Sequence, residues 1–516
     1  MTPYDRCSSN SACGCFPMVG ANNVGICAFL YTFCAELELC GVSLKCSDRS
    51  HLCVHHSRCG DRPRCYPSSM IDRNLCPPIQ SIMNTTMTTS TITSTSTNMS
   101  DTTTGSPLVY HNPALEQFIA ENKNQQFMAL PFNNLTDQDM EIVANQAIRD
   151  IALISLSINY NPVGDKGAQH LAEAIQDNPT LKTLVLQGTK IGDYGAQYLA
   201  DALQNNTLET LYLISSNVGN IGAQYFADAL KNNTRLTRLY LSSNKITEDG
   251  AQSLADALLY NTKLVTLNLA NNKIGVLGAK HLADAIEQNK ILTTLELSST
   301  QIGNDGVKHL ANALQNGTEL TVLDVSLNHI DDLGAQYLAD SLRNNMKLQQ
   351  LHIGHNKIGA NGAQHLAYAL QSNTILKSLS LDKNNITALG AKYFADVLQQ
   401  NIMLNILVLT SNEIGDDGAQ YLADALQNNT MLKTIYLTSN SIGNIGAQYL
   451  ADALKNNTGL IQLSLSNNKI TDDGAQSLAD ALQYNKIIKS LDLSFNKEVS
   501  VAVRQQLKEN DNRIYF

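Results

Sequence analysis

The sequence predicts an α/β solenoid, in which short parallel strands line a concave side and helices cover a convex side. Two observations lead to this fold. A unit of 28 residues recurs from Leu153 onward. Within each unit the apolar residues change from a period of two to a period of 3.6, as expected for a strand followed by a helix. One such unit cannot bury its own apolar face, whereas stacked units bury a continuous core.

The chain opens with a cysteine-rich module, residues 1–80, that contains all eleven cysteines. This density is typical of a small domain held together by disulfides. Zinc is the alternative, with Cys46, Cys53, His55, His56 and Cys59 as conceivable ligands, but the module has no CxxC pair. An odd count leaves one thiol free, bonded to another chain, or paired upstream of Met1. The disulfide candidates are Cys7, Cys13, Cys15, Cys27, Cys34, Cys40, Cys46, Cys53, Cys59, Cys65 and Cys76.

Residues 81–108 form a Ser/Thr-rich linker. Between positions 84 and 106, 16 of 23 residues are serine or threonine. A stretch with so few apolar and charged residues cannot form a core, so we expect it to be extended or disordered. In a secreted protein it would be an O-glycosylated stalk; otherwise it is a plain linker.

Residues 109–152 are predicted to be an N-terminal helix and a capping repeat. Asn112 suits the N-cap and Pro113 the first helical position. Counting back 28 residues from Leu153 places Met128 and Leu130 at inward strand positions. The same register gives the capping repeat an apolar helix face that comprises Met140, Val143, Ala144 and Ala147.

Twelve repeat units are predicted over residues 153–487. In one of them, Leu211 and Leu213 point inward and Tyr212 points outward, as in a half-buried strand. Helices follow, and in the phrase GAQYLADAL the residues Ala196, Leu199, Ala200 and Leu203 occupy one face. A threonine such as Thr247, just before the helix, is expected to cap it.

The ninth position of the unit is predicted to hold a column of hydrogen-bonding side chains. An asparagine there has both a donor and an acceptor, so it can satisfy the backbone groups of adjacent turns. Thr189, Ser216 and Thr300 replace it in three units. The asparagines are Asn161, Asn244, Asn272, Asn328, Asn356, Asn384, Asn412, Asn440, Asn468 and Asn496.

The pattern LxxLxLxxNxIGxxGAxxLAxAL resembles a leucine-rich repeat. It is most similar to the ribonuclease-inhibitor class, which also occurs in the sensor halves of NOD-like receptors. The resemblance covers about 390 of the 516 residues and implies a horseshoe that binds another protein. That class often has cysteine at the ninth position, whereas this chain never does. The phosphate-binding loop of NOD-like receptors is absent from the sequence, so ATP-driven assembly is not implied.

Residues 488–516 are predicted to be a C-terminal capping repeat, because the glycines disappear and the last helix becomes polar. The array should then have about 14 strands. At about 4.8 Å per strand, the concave sheet is on the order of 60 Å long, which suits a protein ligand.

A candidate protein-binding site lies on the concave face, at the outward position between the two strand leucines. This position varies from unit to unit while the helices stay nearly constant, as a binding surface would. Tyrosines offer a large contact area. Glu296, Asp324 and His352 follow one another along the array and form an acidic centre, with His355 nearby, that would suit a basic partner. The candidate residues are Tyr212, Tyr240, Glu296, Asp324, His352, Asp382 and Tyr436. Drift of unconstrained surface positions is the competing explanation.

Other functional classes find little support in the sequence. No motif of a nucleophilic, zinc-dependent or phosphate-binding enzyme occurs, so the chain is predicted to be non-enzymatic, with no cofactor and no metal. Residues 1–106 are electrically balanced, so the net charge of −10 lies on the repeats and disfavours nucleic acid. No apolar run is long enough to span a membrane. The oligomeric state stays open.

Two cellular settings are compatible with these features. Cysteine density, the linker and the absence of cysteine from the repeats favour an extracellular or cell-surface recognition protein. No apolar leader precedes Cys7, so the extracellular hypothesis requires that the true start of the chain lies upstream of Met1. The alternative is a cytosolic inhibitor or sensor like those of the resembled class. Sequons would be glycosylated only in the first case. They begin at Asn84, Asn98, Asn134, Asn205, Asn232, Asn316, Asn385, Asn428 and Asn456.

Overall fold

The computed structural model describes residues 110–131 and 133–516, together with the backbone of four short strands nearer the N-terminus. Those four strands, β1–β4, are Cys13–Pro17, Gly25–Phe29, His51–Val54 and Arg64–Pro67. β1 pairs with β2 and β3 with β4, both antiparallel, so that Cys15 lies opposite Cys27 and Cys53 opposite Cys65. Cys13 begins β1, opposite Phe29. The remaining six cysteines and the Ser/Thr-rich linker lie outside the described residues.

A single parallel sheet runs through the rest of the described chain. Its fifteen strands follow one another in chain order, each paired with the next. They are β5–β19: Phe127–Ala129, Ser155–Ser157, Thr183–Val185, Thr210–Tyr212, Arg238–Tyr240, Thr266–Asn268, Thr294–Glu296, Val322–Asp324, Gln350–His352, Ser378–Ser380, Ile406–Val408, Thr434–Tyr436, Gln462–Ser464, Ser490–Asp492 and Ile514–Tyr515.

Helices connect successive strands and pack side by side against the sheet. They are α1–α15: Pro113–Glu121, Asp139–Ile142, Asp165–Ile175, Asp193–Ala202, Asn220–Asn232, Glu248–Leu258, Gly275–Gln288, Gly303–Asn316, Asp332–Leu342, Ala360–Ser372, Thr387–Leu398, Gly415–Leu426, Asn444–Asn456, Asp472–Tyr484 and Val501–Asn510. A π-helical segment, Val143–Arg149, extends α2. The predicted leucine-rich-repeat solenoid is confirmed.

The core is one continuous apolar layer between the sheet and the helices. Leu211 and Leu213 are fully buried, as are Ala196 and, in the capping repeat, Met140. Each inward leucine stacks on its counterpart in the next repeat because the strands pair without a register shift. Burial of this kind stabilises the fold by about 25 cal/mol per Å² of apolar surface. Each repeat buries the apolar face of its neighbour, so the stabilisation extends along the array.

The C-terminal strand β19 was not predicted. The sequence suggested about 14 strands, whereas Ile514 and Tyr515 add a fifteenth by pairing with Leu491 and Asp492. Both residues are buried. The chain therefore covers the last leucine-bearing strand with its own final residues.

The asparagine column at the ninth position forms as predicted. Asn272 donates from Nδ2 to the carbonyl oxygen of Leu241 in the preceding repeat, at 2.9 Å. Its Oδ1 accepts from the backbone N–H of Ile246, at 3.0 Å. Where threonine stands instead, Thr300 Oγ1 donates to the carbonyl of Leu297. Each of these side chains satisfies buried backbone groups that water cannot reach.

A second asparagine column, which the sequence analysis missed, runs along the helix ends. In Asn233 the Nδ2 donates to Leu203 of the preceding repeat at 2.6 Å, and Oδ1 accepts from the N–H of Leu236 at 2.7 Å. We call this column the helix-end ladder. It comprises Asn178, Asn233, Asn261, Asn289, Asn345, Asn373, Asn401, Asn429, Asn457 and Asn485. Its position, three residues before the first leucine of each unit, was visible in the sequence.

Helix starts are capped by the preceding repeat, which corrects the expectation for Thr247. Thr247 does occupy the N-cap position, but its hydroxyl accepts from Asn220 Nδ2 at 2.8 Å rather than from its own helix. The N–H of Thr247 donates to Asn220 Oδ1 at 2.8 Å. Asp332 likewise accepts from the N–H groups of Gly359 and Gly362, at 2.6 and 2.9 Å. An acceptor in the first helical turn of one repeat thus fixes the start of the next helix.

The same interaction selects between two turn conformations. After the acceptor Asp332, Gly359 is extended, with φ −96°. After Ala388 the equivalent Gly415 adopts φ 62°, and its N–H donates instead to the carbonyl of Asn440 in the following repeat. Left-handed turns also occur after Glu248, Val276 and Ala360, at Gly275, Gly303 and Thr387. The side chain at the start of one helix therefore decides the backbone conformation at the start of the next helix.

Candidate functional site

Five of the seven concave candidates lie in one row across neighbouring strands of the sheet. Strand pairing sets Tyr212 beside Tyr240, followed by Asn268, Glu296 and Asp324 on successive strands. His352 continues the row next to Asp324. Register alone produces this order, because every strand is paired with its neighbour at the same position of the repeat.

An aromatic pair forms one end of this row. The rings of Tyr212 and Tyr240 are stacked, with centroids 4.3 Å apart and an angle of 6° between the planes. Burial raises the pKa of the Tyr240 hydroxyl, as do the neighbouring Tyr212 and Glu296. The phenol is therefore neutral, and the pair places half-exposed aromatic rings beside a carboxylate.

Two carboxylates meet in the middle of the row. Glu296 and Asp324 are direct neighbours on adjacent strands. Asn268 donates from Nδ2 to Glu296 Oε2, while Asp324 Oδ1 accepts from the N–H of Ser326 at 2.8 Å. Like charges at directly paired positions destabilise a sheet. Two carboxylates at paired positions therefore favour the approach of a cation.

Asp382 lies off the row and is already engaged. It follows strand Ser378–Ser380, and its Oδ2 lies 3.2 Å from His355 Nε2. Ser380 Oγ donates to Asp382 Oδ1 at 2.8 Å. Gly354 makes room for this arrangement, because a Cβ there would lie 2.2 Å from Asp382 Oδ1. Asp382 is thus less available to a partner than Glu296 and Asp324.

Tyr436 belongs to the same row but lies apart from the acidic centre. Ser380 and Val408 separate it from His352, and Ser464 follows it. The structure therefore brings five of the seven candidates together, from Tyr212 to His352, and leaves Asp382 beside them and Tyr436 at a distance.

Two further features border the site and were not recognised in the sequence. Arg238, on the same strand as Tyr240, is exposed and donates from Nε to Thr210 Oγ1 at 2.9 Å. On the other side of the acidic centre the next outward positions hold two small residues, Ser298 and Ser326, whereas Gly354 is buried beneath Asp382. The two serines let a partner backbone approach the carboxylates closely. Both features could have been recognised in the sequence, because these residues lie two positions away from candidate residues.

Within the described part of the chain, no cluster of three or more His, Cys, Asp or Glu side chains could hold a metal ion. No helix there is both long and apolar enough to cross a bilayer.

Comparison with known proteins identifies the repeat. The Leucine Rich repeat family matches in eleven segments that together make up half of the chain: 153–172, 177–200, 232–255, 260–283, 288–311, 318–339, 344–367, 372–395, 400–423, 428–451 and 456–479. Comparison with curated proteins gives no significant match.

Among solved structures, the Rad7–Elc1 complex of yeast is 16% identical, with a TM-score of 0.42, over 76% of this chain and 84% of that one. An internalin, inlF, from Listeria monocytogenes is 19% identical, with a TM-score of 0.41, over 70% of this chain and 97% of that one. The family assignment rests on the sequence match. The chain belongs to the leucine-rich-repeat family.

Proposed function

We propose that this protein is a non-enzymatic recognition protein that binds a protein ligand on its concave face. The observation that carries the proposal is the row from Tyr212 to His352, which joins a stacked aromatic pair to paired carboxylates. Stacked tyrosines are effective contact residues because they lose little conformational entropy on binding. The small residues beside the carboxylates leave room for a partner backbone.

The ligand we propose presents a basic segment. Glu296 and Asp324 place like charges at directly paired positions, and a lysine or arginine between them would be attracted by both. An arginine could also pack against the half-exposed rings of Tyr212 and Tyr240, since guanidinium groups pack well on aromatic rings. The excess of acidic side chains on the repeats supports the same choice of ligand.

Capture experiments with the immobilised full chain test this function. Bound proteins are identified from a cell-surface and secreted fraction and quantified by mass spectrometry. Tyr212→Ala and Tyr240→Ala should each weaken capture about tenfold or more. Glu296→Gln with Asp324→Asn should abolish capture of basic ligands. The matched control, Asp305→Asn with Asp473→Asn, makes the same charge change at exposed sites on the helices and should have no effect.

Stability distinguishes a binding role from a structural one. If the carboxylate pair exists for a ligand, Glu296→Gln with Asp324→Asn should raise the free energy of unfolding by about 0.5–1 kcal/mol while binding falls. Unchanged capture in all concave variants contradicts the proposed site.

An extracellular or cell-surface setting is the second part of the proposal. The backbone register supports it, because directly opposed residues have Cα atoms about 4.5–5.5 Å apart, a separation that disulfides span. Non-reducing peptide mapping should find Cys15 linked to Cys27 and Cys53 linked to Cys65. Fully reduced cysteines in freshly isolated protein would instead favour the cytosolic inhibitor or sensor.

A further inference from the structure

The turns that follow the helices all lie along one edge of the solenoid, because every helix returns in the same direction to a parallel sheet. Four of these turns carry the sequence Asn-Asn-Thr, which begins at Asn205, Asn232, Asn428 and Asn456, and two of them also have a tyrosine one repeat further along. Asn232 is the last residue of α5, and Asn456 is the last residue of α13. Both asparagines are exposed.

Only the middle residue of each triplet has a role in the fold. Asn233 and Asn457 belong to the helix-end ladder and are buried. The flanking residues, Asn232 with Thr234 and Asn456 with Thr458, are exposed. Among the described residues their side chains have no hydrogen-bond partner. The helix-end ladder therefore accounts for the middle residue of each sequon, but not for the asparagine and threonine that define the sequon.

An exposed tyrosine stands one repeat beyond each of these asparagines. Tyr260 follows Asn232 by 28 positions and is 67% exposed; Tyr484 follows Asn456 by the same step and is 71% exposed. Asn261, the residue after Tyr260, donates to the carbonyl of Leu230 at 2.6 Å, which places this turn beside the end of α5. The hydrogen bond to Asp228 is the main cause that raises the pKa of the Lys231 ammonium, and Tyr260 contributes to it. Tyr484 acts in the same way on Lys455, whose main partner is Asp452.

We propose that Asn232 and Asn456 carry N-linked glycans whose first sugar packs against the rings of Tyr260 and Tyr484. The apolar face of a pyranose ring matches the face of a tyrosine, and the neighbouring repeat holds that ring about one helix spacing away, about 8–10 Å. The inference rests on the extracellular setting proposed above.

The modification itself requires only the ordinary donor of the secretory pathway. The side-chain amide nitrogen of asparagine attacks C1 of an oligosaccharide carried on a lipid diphosphate. The C1–N bond forms, the C1–O bond to the diphosphate breaks, and the amide proton leaves with the lipid diphosphate as the product acid. A cellular oligosaccharyl transferase catalyses this exchange.

Glycans at these positions would project from the helix-end edge. The strands with Tyr212 and Tyr240 flank α5 in the chain, and those with Tyr436 and Ser464 flank α13. The concave row lies at the centre of these strands, so the sugars would bound the binding face on one side without covering it.

Occupancy is tested on the native full-length protein. Peptide-N-glycosidase converts a glycosylated asparagine to aspartate, which mass spectrometry detects. Conversion is expected at Asn232 and Asn456. The control is Asn344, which occupies the same turn position but is followed by Asn345 and Met346 and so lacks the hydroxyl. Unmodified Asn232 and Asn456 overturn the inference, even where capture on the concave face persists; occupied sites with no concave binding contradict the proposed function instead.

Packing on the tyrosine is tested with the secreted full chain. Tyr260→Ser should lower Tm by about 2 °C in the glycosylated protein and leave Tm unchanged after enzymatic deglycosylation. Tyr194→Ser provides the control, because Tyr194 is 70% exposed at the opposite ends of the helices. An equal effect of Tyr260→Ser in both forms shows that no sugar packs on the ring.

Discussion

Single residues in this protein are held to conformations that their side chains do not favour. Thr387 adopts φ 61°, in the left-handed region. The equivalent residues in three other repeats are Gly275, Gly303 and Gly415, with φ between 58° and 64°. A β-branched residue is strained there, whereas glycine is not. The strain at Thr387 follows from Ala360, which offers no acceptor for the alternative turn.

Thr387→Gly should therefore stabilise the protein by about 1 kcal/mol, since it removes left-handed strain at a residue whose N–H bond to Asn412 is unaffected. Urea unfolding of protein made in bacteria measures the change without interference from glycans. Thr471→Gly is the matched control, because Thr471 is extended, with φ −104°, and gains nothing from glycine. A loss of stability in Thr387→Gly contradicts the argument.

Buried asparagines act at the same scale. Asn412 is fully buried and donates to Leu381 and Thr410 while it accepts from Ile386. Asn412→Ala should cost about 3 kcal/mol in the free energy of unfolding, because it leaves buried backbone groups unpaired. Asn412→Thr should cost less, as the bonded Thr300 shows. Asn361→Ala, at an exposed site, should change stability by less than about 0.5 kcal/mol. Equal losses for Ala and Thr would refute the role given to the ninth-position asparagine column.

At the scale of elements, many helices depend on the repeat before them. Where that repeat supplies a carboxylate or amide, as Asp332 and Asn444 do, this group accepts from the N–H at the start of the next helix and replaces the capping side chain that most isolated helices carry within their own sequence. Glycine at the N-cap can follow either turn conformation, whereas threonine can follow only the extended one without strain. The effect of losing the acceptor is therefore set by the next repeat.

Comparison of Asp332→Ala with Asn444→Ala tests this coupling. After Asp332→Ala, Gly359 can adopt the left-handed turn seen at Gly415, so the loss should be about 1 kcal/mol. After Asn444→Ala, the extended Thr471 must either leave its N–H unpaired or become strained, so the loss should be about 2–3 kcal/mol. Denaturant unfolding measures both, and a crystal structure of Asp332→Ala should show positive φ at Gly359. Equal losses, with Gly359 unchanged, contradict the two-turn explanation.

At the scale of the whole molecule, the two ends close the array with carboxylates. Asp139 accepts from Asn112 Nδ2 at 2.6 Å and from the Thr136 N–H at 2.7 Å, which ties α1 to the first repeat. At the other end, Arg513 stands 28 residues after Asn485 and donates to its carbonyl at 2.7 Å. Arg513 therefore continues the helix-end ladder with a guanidinium group, held in turn by Asp511 at 2.6 Å.

Acidification should loosen these two ends before the interior. Burial raises the pKa of Asp139, but hydrogen bonds from Asn112, Thr136 and Tyr110 outweigh it and the pKa is lowered overall. The hydrogen bond from Arg513 is the main cause that lowers the pKa of Asp511, against burial. A carboxylate with a lowered pKa stabilises the fold above its unfolded value, about 4, and this contribution is lost as pH falls through the folded value.

Hydrogen exchange measured from pH 7 to about pH 3 checks this expectation. Residues 110–121 and 501–516 should open faster than the interior as the pH falls below about 4. Asp511→Asn should remove the pH response at the C-terminal end and leave that of the N-terminal end. Uniform opening along the whole array at low pH would contradict it.

The sequence alone determined the repeat, the inward leucines, the ninth-position asparagine column and the order of the concave row. Each of these depends only on residue type and on a fixed period of 28, because stacked identical units place equivalent residues side by side. The capping repeat could be registered in the same way, which correctly placed Met128 and Leu130 in the core.

Tertiary structure decided what depends on the meeting of non-equivalent residues. The pairing of Asp382 with His355, the closure by Arg513 and strand β19, and the choice of turn at Gly359 or Gly415 all join different positions of neighbouring repeats. A period in the sequence shows which residues are equivalent. Distances between non-equivalent groups are fixed only when the repeats pack against each other. Only the folded chain therefore shows which acceptor bonds to which donor.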